Sequence, residues 1–291
     1  MDNISEILAT YNCVNLDDRI QFELDSVLEK EIRQAYNVEN LEFCISCMDY
    51  TTLKLTDTES TVKSFVEELL KKQTKFHLKD VAAVCVSPIF ARIVRDILEP
   101  TGIQTAVVAG NFPNAQTFSE VKLMECKMAI AAGAQEIDTV IAVGDLLEKN
   151  YQKVYQELRA IRQVCEGVKL KVILETGELK SVETIFYGAL IAAYAGADFI
   201  KTSTGKVPVN ATPESVYVIC EAIKQYHAQT SRLVGLKVAG GITKAQNAIA
   251  YLTIVNHVLG KEWLTPAYFR IGASQLMEDV VKEVKALQMI Q

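Results

Sequence analysis

The stretch GADFIKTSTGKVPVNATPES, residues 196–215, contains the unit that decides the fold. An apolar strand, DFIKTSTG (198–205), runs into polar residues. A helical pattern follows, with Pro213 in its first turn, where proline is favoured. Lys201 lies in the middle of this strand, although the strand otherwise has the composition of a buried core. The rest of the chain has to explain why a cation occupies that position.

Seven other β-rich runs share this organisation. They cover residues 41–50, 80–88, 105–113, 136–144, 170–178, 233–241 and 268–274. Helical patterns with apolar residues at three- and four-residue spacing separate them. Eight alternating units in about 245 residues, with strands apolar on both faces, indicate a closed (β/α)8 TIM barrel rather than an open sheet. No linker divides the units, so we predict a single barrel over residues 41–291.

Residues 1–40 precede the eight units and predict an N-terminal helical extension packed on the barrel. The segment LDDRIQFELDSVLEKEIRQAY is amphipathic. Its apolar stripe consists of Ile20, Leu24, Val27, Leu28 and Ile32. We expect this helix to close the bottom of the barrel. The alternative is a helix that binds a partner or a second copy of the chain.

Composition narrows the possible functions. The net charge of −6 makes a general nucleic-acid-binding surface improbable, and no apolar run is long enough to span a membrane. The seven cysteines lack framework spacing, which favours free thiols and a cytoplasmic location. Cys44 and Cys47 have CxxC spacing, but we interpret them as core thiols rather than a metal or redox pair. The histidines fall in helices or their linkers, so the chemistry must depend on lysine and carboxylate, and no metal or cofactor is expected.

The alternation of strand residues explains Lys201. Successive side chains of a barrel strand point to the lumen and to the helices in turn. The neighbours of Lys201 and Lys237 in their strands are largely apolar and must face the helices, so both lysines point into the barrel from adjacent strands. On the fourth strand the same alternation directs Glu136 and Asp138 to one face. Asp138 is therefore expected near the two lysines.

Two ammonium groups in one confined site favour a neutral amine, because like charge and burial both lower a lysine pKa. A neutral amine can attack a carbonyl and form a Schiff base, and a buried carboxylate can transfer protons. The alternative is a structural ion-pair network in the lumen. Its members would be Lys201, Lys237, Asp138, Lys171 and Glu175. Polar groups concentrate at the C-terminal strand ends, where barrel active sites lie, and this favours catalysis.

Glycine-containing loops follow the last three strands: STGK (203–206), AGGIT (239–243) and IGAS (271–274). Glycine lets a backbone amide approach an anion closely, and such loops commonly bind phosphate in barrels. The alternative is ordinary turn glycines. Three such loops on adjacent strands favour a phosphate site, to which Lys206 could add charge.

Several stretches of this chain resemble the class I, Schiff-base family of deoxyribose-phosphate aldolases. They are DYTTLK (49–54), AAVCVSP (82–88), NFP (111–113), EIDTVI (136–141), KVILETGELK (171–180), GADFIKTSTGKVPVNATPES (196–215), GLKVAGGIT (235–243) and RIGAS (270–274). The resemblance covers about residues 44–285. It implies reversible cleavage of 2-deoxy-D-ribose 5-phosphate to D-glyceraldehyde 3-phosphate and acetaldehyde, without a cofactor.

The resemblance also implies residue roles. Lys201 would form the Schiff base, Lys237 would keep Lys201 uncharged, and Asp138 would transfer protons with a water. The substrate-binding residues would be Asp49, Thr51, Cys85, Lys171 and Thr204. The phosphate-binding residues would be Gly205, Lys206, Gly240, Gly241, Gly272 and Ser274.

The chain departs from the family pattern at Thr243 and Gln275, near the expected phosphate contacts, and it has no tyrosine after Tyr268. Two other functions remain open. One is another Schiff-base aldolase or transaldolase acting on a longer sugar phosphate, which acetaldehyde release would exclude. The other is a non-catalytic barrel that serves as a scaffold. The expected partners are sugar phosphates and aldehydes, with a homo-oligomer also considered.

Overall fold

The computed structural model describes residues 3–289, apart from the side chains of residues 28 and 29. Eight parallel strands form a closed barrel in sequence order, and the last strand pairs with the first. The strands are β1 (Met48–Thr51), β2 (Ala83–Val86), β3 (Gln104–Val108), β4 (Glu136–Val140), β5 (Lys169–Ile173), β6 (Phe199–Lys201), β7 (Gly235–Ala239) and β8 (Phe269–Ala273). The predicted (β/α)8 architecture is confirmed.

Helices alternate with the strands and form the outer layer. They are α1 (Ile4–Leu8), α2 (Leu16–Ala35), α3 (Val38–Ser46), α4 (Glu59–Phe76), α5 (Ala91–Leu98), α6 (Ser119–Ala131), α7 (Val143–Leu147), α8 (Tyr151–Val164), α9 (Thr176–Leu179), α10 (Val182–Ala195), α11 (Pro213–Thr230), α12 (Ala245–Leu259) and α13 (Leu276–Gln288). Short 3₁₀ turns cover Pro88–Phe90 and Lys261–Trp263. None of the helices described here is long and apolar enough to cross a membrane.

The first β-rich run is only partly a strand. Residues 41–46 belong to helix α3, and β1 begins at Met48, so the strand prediction for 41–46 was wrong. Asn37 starts the helix, because its side chain accepts a hydrogen bond from the amide of Asn40. Leu41, Cys44 and Ile45 are buried at helical spacing. The predicted boundary between the N-terminal extension and the barrel, at residue 40, falls inside α3. The division of the chain into these two parts stays a prediction.

Helix α2 lies along the outer wall of the barrel, where it packs against α11 and α12. The stripe residues Ile20, Leu24 and Val27 are buried, and the Leu28 side chain lies outside the described part of the structure. Arg19 Nη2 lies 2.7 Å from Glu221 Oε2 on α11. The helix therefore covers a side of the barrel, and the expectation that it closes the bottom was wrong.

The strands separate two interiors. On β7, Leu236 and Val238 belong to the apolar core between sheet and helices, while Lys237 between them points into the lumen. Gly235 leaves room for the ring of Phe199, since an added Cβ would lie 2.5 Å from that ring. The alternation predicted from sequence is thus confirmed on the strand that carries the second lysine.

The cysteines are free thiols in the described chain. Cys44 and Cys47 are buried, and burial raises the pKa of Cys44 to about 12. Among residues 3–289, no group of three or more His, Cys, Asp or Glu side chains is arranged to hold a metal ion. The CxxC pair therefore packs as core thiols.

Candidate active site

The predicted lysine pair meets at one carboxylate. Lys201 at the end of β6 and Lys237 on β7 are paired in the register of the two strands. Lys201 Nζ lies 2.6 Å and Lys237 Nζ 2.7 Å from the same oxygen, Oδ2 of Asp138 on β4. All three side chains are buried. The arrangement predicted from strand alternation is confirmed, while the catalytic roles remain predictions.

A second layer of charges lies next to this pair in the lumen. Lys171 Nζ on β5 contacts three carboxylates: Asp49 Oδ2 at 2.9 Å, Glu136 Oε2 at 2.6 Å and Asp138 Oδ1 at 3.0 Å. Lys237 also donates a hydrogen bond to Asp49. Both oxygens of Asp138 are therefore held by ammonium groups, and the carboxylate cannot rotate without breaking an ion pair.

Arg270 on β8 completes the network and was missed by the sequence reasoning. Its Nη1 lies 2.7 Å from Asp49 Oδ1, and its Nη2 lies 3.1 Å from Glu136 Oε1. The guanidinium carbon lies 5.4 Å from the ring centroid of Phe199. The signal was available, because alternation on β8 directs Arg270 to the same face as Gly272. Glu136 was assigned to the lumen but given no partner.

The two paired lysines have opposite pKa shifts. Burial lowers the pKa of Lys201 below its usual range, the charge of Lys237 lowers it further, and Asp138 only partly opposes this. Burial also acts on Lys237, but Asp138 and Asp49 outweigh it and raise the pKa of that lysine. Lys201 is therefore the more readily deprotonated amine, and Lys237 keeps its charge.

Asp138 is held as a carboxylate. Burial alone would raise its pKa, but the ammonium groups of Lys171, Lys201 and Lys237 outweigh burial and lower the pKa below its usual range. The same competition lowers the pKa of Asp49 well below its usual range. An ionised carboxylate thus lies directly beside the least basic amine, and this pairing allows proton transfer.

A cavity of about 240 Å³ opens above the lysine pair at the C-terminal ends of β1, β6, β7 and β8. Lys201 and Lys237 line it together with Thr51 and Thr204. The predicted phosphate residues all line it as well: Gly205, Lys206, Gly240, Gly241, Gly272 and Ser274. One space therefore joins the amines to the glycine loops.

Three of the residues assigned to substrate binding lie elsewhere. Asp49, Cys85 and Lys171 are completely buried in the strands and are not among the cavity-lining residues. Burial raises the pKa of the Cys85 thiol. Asp49 contacts Lys237 and Lys171 contacts Asp138, so both belong to the ion-pair network behind the cavity, and their role in substrate binding stays a prediction.

Two glycines shape this cavity in different ways. Gly241 has a φ of 71° and open space where a Cβ would lie, so its backbone is accessible from the cavity. At Gly272 an added Cβ would lie 3.1 Å from Lys237 Cε and 3.0 Å from Ala239 Cβ. A side chain at residue 272 would therefore crowd the second lysine.

Glu175 does not belong to the lumen network, so its inclusion there was wrong. Its backbone has a φ of 58°, which turns the side chain away from the continuation of β5. Its carboxylate accepts hydrogen bonds from the amide of Thr204, at 3.2 Å, and from the Thr204 hydroxyl. Glu175 thus holds the loop after β6, and Lys206 Nζ ties that loop to the Leu53 carbonyl at 2.6 Å.

Of the two departures from the family pattern, Thr243 lines the cavity, whereas Gln275 directly precedes α13 and does not.

A buried amine of lowered pKa beside an ionised carboxylate, at the C-terminal mouth of a (β/α)8 barrel, is typical of enzymes that form a Schiff base.

Comparison with known proteins agrees with this class. The model of the DeoC/LacD family of aldolases matches residues 43–253. Deoxyribose-phosphate aldolase from Homo sapiens is 38% identical over 277 residues, covering 91% of this chain and 85% of the relative. The enzyme from Bos taurus is 38% identical over 268 residues, covering 88% and 84%. The chain belongs to the DeoC/LacD aldolase family, and it is a lyase.

The solved structures show the same fold. The tetrameric deoxyribose phosphate aldolase from Aeropyrum pernix superposes with a TM-score of 0.68 at 25% identity, covering 91% of this chain and 98% of that protein. The likeness extends across the whole barrel.

Proposed function

We propose that this protein is a deoxyribose-phosphate aldolase that cleaves 2-deoxy-D-ribose 5-phosphate to acetaldehyde and D-glyceraldehyde 3-phosphate through a Schiff base on Lys201. The observation that carries the proposal is that the amine of lowered pKa and the glycine loops line one cavity. A sugar phosphate can place its aldehyde at Lys201 and its phosphate at the loops, so binding energy from the phosphate positions the reacting carbon.

The first step is imine formation. The neutral Lys201 amine attacks C1 of the open-chain aldehyde, and the carbinolamine takes up a proton and loses water to give an iminium. Lys237 holds a positive charge next to Lys201, which favours the neutral nucleophile. The iminium then serves as the electron sink for breaking the carbon–carbon bond.

The second step breaks the carbon–carbon bond and releases glyceraldehyde 3-phosphate. Acetaldehyde carries C1 and C2, so the bond that breaks is C2–C3. The C3 hydroxyl gives up its proton to Asp138 through a water, C3 becomes the aldehyde of glyceraldehyde 3-phosphate, and the bonding pair forms an enamine at C2. Returning the proton to C2 gives the acetaldehyde iminium, and water hydrolyses it to free Lys201.

The phosphate contacts fall on loops after β6, β7 and β8. The accessible backbone at Gly241 and the charge of Lys206 are suited to an anion. Glu175 and the Leu53 carbonyl fix the loop that carries Lys206. Substrate that lacks its phosphate should therefore have a higher KM than the phosphorylated sugar.

The test is a product assay on the purified protein with 2-deoxyribose 5-phosphate. Acetaldehyde is measured with alcohol dehydrogenase and NADH, and the triose phosphate is measured separately in a coupled dehydrogenase assay. We expect equal amounts of the two products. A transaldolase would act on longer sugar phosphates without releasing acetaldehyde. A non-catalytic scaffold barrel would turn over neither 2-deoxyribose 5-phosphate nor a longer sugar phosphate. Either result would overturn the proposal.

We also propose the cytoplasm as the compartment, since free thiols suit a reducing environment. A homo-oligomer remains a proposal as well.

A further inference from the structure

The active-site cavity contains more positive charge than the Schiff-base chemistry uses. Lys201 and Lys237 form its inner end, against Asp138. Lys54 and Lys206 line it from the loops after β1 and β6. No aspartate or glutamate of the described chain lines the same cavity. Lys206 was expected to bind phosphate, whereas Lys54 has no part in the steps above.

The charge of a phosphate ester exceeds what Lys206 can balance. Such an ester carries a charge of about −1.5 to −2 at neutral pH, and Lys206 supplies one positive charge. Thr243 and Ser274, which line the cavity from the loops after β7 and β8, are neutral. Lys237 is already paired with two carboxylates. Part of the anionic charge is therefore left for backbone amides or for a second cation.

The loop that carries Lys54 is fixed by hydrogen bonds. Asp57 Oδ2 accepts one from the Lys54 amide at 2.9 Å and one from the Thr52 hydroxyl at 2.8 Å. The Thr52 amide donates to the Cys85 carbonyl on β2 at 3.0 Å. The backbone of Lys54 is thus held at the cavity mouth, while its side chain is exposed and can reach an anion there.

A bond between two loops brings the two cations close to each other. Lys206 Nζ donates to the Leu53 carbonyl at 2.6 Å, so Lys206 contacts the residue directly before Lys54. A lysine ammonium has three N–H donors, and this bond uses one of them. In the barrel, β7 and β8 lie between β6 and β1. The loops that carry Lys206 and Lys54 therefore flank the glycine loops and meet each other.

We propose that Lys54 is a second phosphate-binding cation and that it contributes to the preference for phosphorylated over unphosphorylated substrate; this inference rests on the function proposed above. Lys54 and Lys206 together balance the charge of the ester, and the glycine loops add backbone amides. The phosphate lies at the far end of the substrate from the reacting aldehyde. Loss of Lys54 should therefore weaken binding and leave the chemical steps nearly unchanged.

The first experiment compares two substrates in Lys54→Met. For 2-deoxyribose 5-phosphate, KM should rise about tenfold while kcat stays within about twofold of wild type. For unphosphorylated 2-deoxyribose, kcat/KM should not change. Lys54→Arg keeps the charge, and its KM should stay within about threefold of wild type. Lys71→Met is the matched control, because Lys71 is an exposed lysine on α4 outside the cavity, and both substrates should behave as with wild type.

The second experiment measures the anion site without the chemistry. Inorganic phosphate should compete with 2-deoxyribose 5-phosphate, and its inhibition constant should rise in Lys54→Met by about the same factor as KM. Added salt should weaken this inhibition more in the wild-type protein than in the variant, because the variant has one charge fewer to screen. Circular dichroism shows whether each variant is folded.

Three outcomes would exclude Lys54 as a phosphate-binding residue. One is an unchanged KM and phosphate inhibition constant in Lys54→Met. Another is an equal loss of kcat/KM with both substrates, which would indicate a general disturbance of the site. The third is a Lys54→Arg variant as impaired as Lys54→Met, which would show that charge is not required. A wild-type protein that forms no products from 2-deoxyribose 5-phosphate is a separate result, which would overturn the proposed function and this inference with it.

Discussion

Lys201 at the mouth of the lumen and Lys171 within it are both buried, yet their pKa values shift in opposite directions. Lys201 contacts one carboxylate, that of Asp138. Lys171 contacts three, which outweigh burial and raise its pKa well above the usual range. Burial alone therefore does not produce a nucleophilic lysine. For these two lysines the number of carboxylate partners decides the direction of the pKa shift.

Lys237 is intermediate and shows the same relation. It contacts two carboxylates, Asp138 and Asp49, and its pKa is raised. The sequence offered catalysis and a lumen ion-pair network as alternatives, and the structure contains the geometry of both. The network holds Asp138 ionised. Lys201 lies at the edge of the network, where the fewest carboxylates offset the burial of the lysine.

The largest expected effect comes from removing the amine at the edge. Lys201→Met should lower turnover by more than about a thousandfold, because no other buried lysine in the described part of the chain has so few carboxylate partners and also lines the cavity. The folded protein should keep its stability, since the variant removes an amine with only one carboxylate partner, and Asp138 still contacts Lys171 and Lys237. Turnover is measured in the coupled acetaldehyde assay, and residual activity near wild type would end the assignment.

The matched change in the network is Lys171→Met, which should act mainly on stability. Three carboxylates lose a shared cation, and breaking a buried pair on one side costs about 3–5 kcal/mol. The free energy of unfolding is measured by denaturant titration beside Lys201→Met. If the two variants lose equal stability, carboxylate count does not distinguish the two sites.

Lys237→Met should move the pH–rate profile. Without the neighbouring charge the pKa of Lys201 rises, and Asp138 pairs more fully with that lysine. Because the reaction needs the neutral amine, the acid limb should shift to higher pH and turnover at pH 7 should fall about 10- to 100-fold. A profile that keeps its position would contradict the electrostatic role of Lys237.

Acid should weaken the network gradually. The pKa values of Asp49, Glu136 and Asp138 are lowered on folding, so their contribution is complete above the unfolded pKa values near 4 and is lost as pH falls below them. Denaturant titrations at pH 7, 5 and 4 should show stability decreasing at the lowest pH. The loss of unfolding free energy should be smaller in Lys171→Met, because the carboxyl pKa values are less depressed in that variant. An equal loss in both proteins would show that these ion pairs are not its cause.

Strand periodicity predicted most of the site. A two-residue repeat is enough to assign Lys201, Lys237 and Asp138 to the lumen, because the opposite face of each strand must be apolar. The same rule would have found Arg270 on β8. It failed at Glu175, since a left-handed backbone there interrupts the repeat.

Longer-range placement could not be obtained in this way. The apolar stripe of α2 shows that the helix is buried on one side, but the stripe does not identify the surface that it covers. The depressed pKa of Lys201 depends on how many carboxylates converge from other strands, which a single sequence does not count. Residues 41–46 carried apolar residues at helical spacing and a preceding Asn37, so that error was avoidable.

The most direct measurement is borohydride trapping in the presence of 2-deoxyribose 5-phosphate, followed by peptide mapping. Reduction of the iminium leaves a stable adduct on the lysine that formed it. The account predicts an adduct on Lys201 alone, and none in Lys201→Met. An adduct on Lys237 or Lys171, or no substrate-dependent adduct, would contradict it.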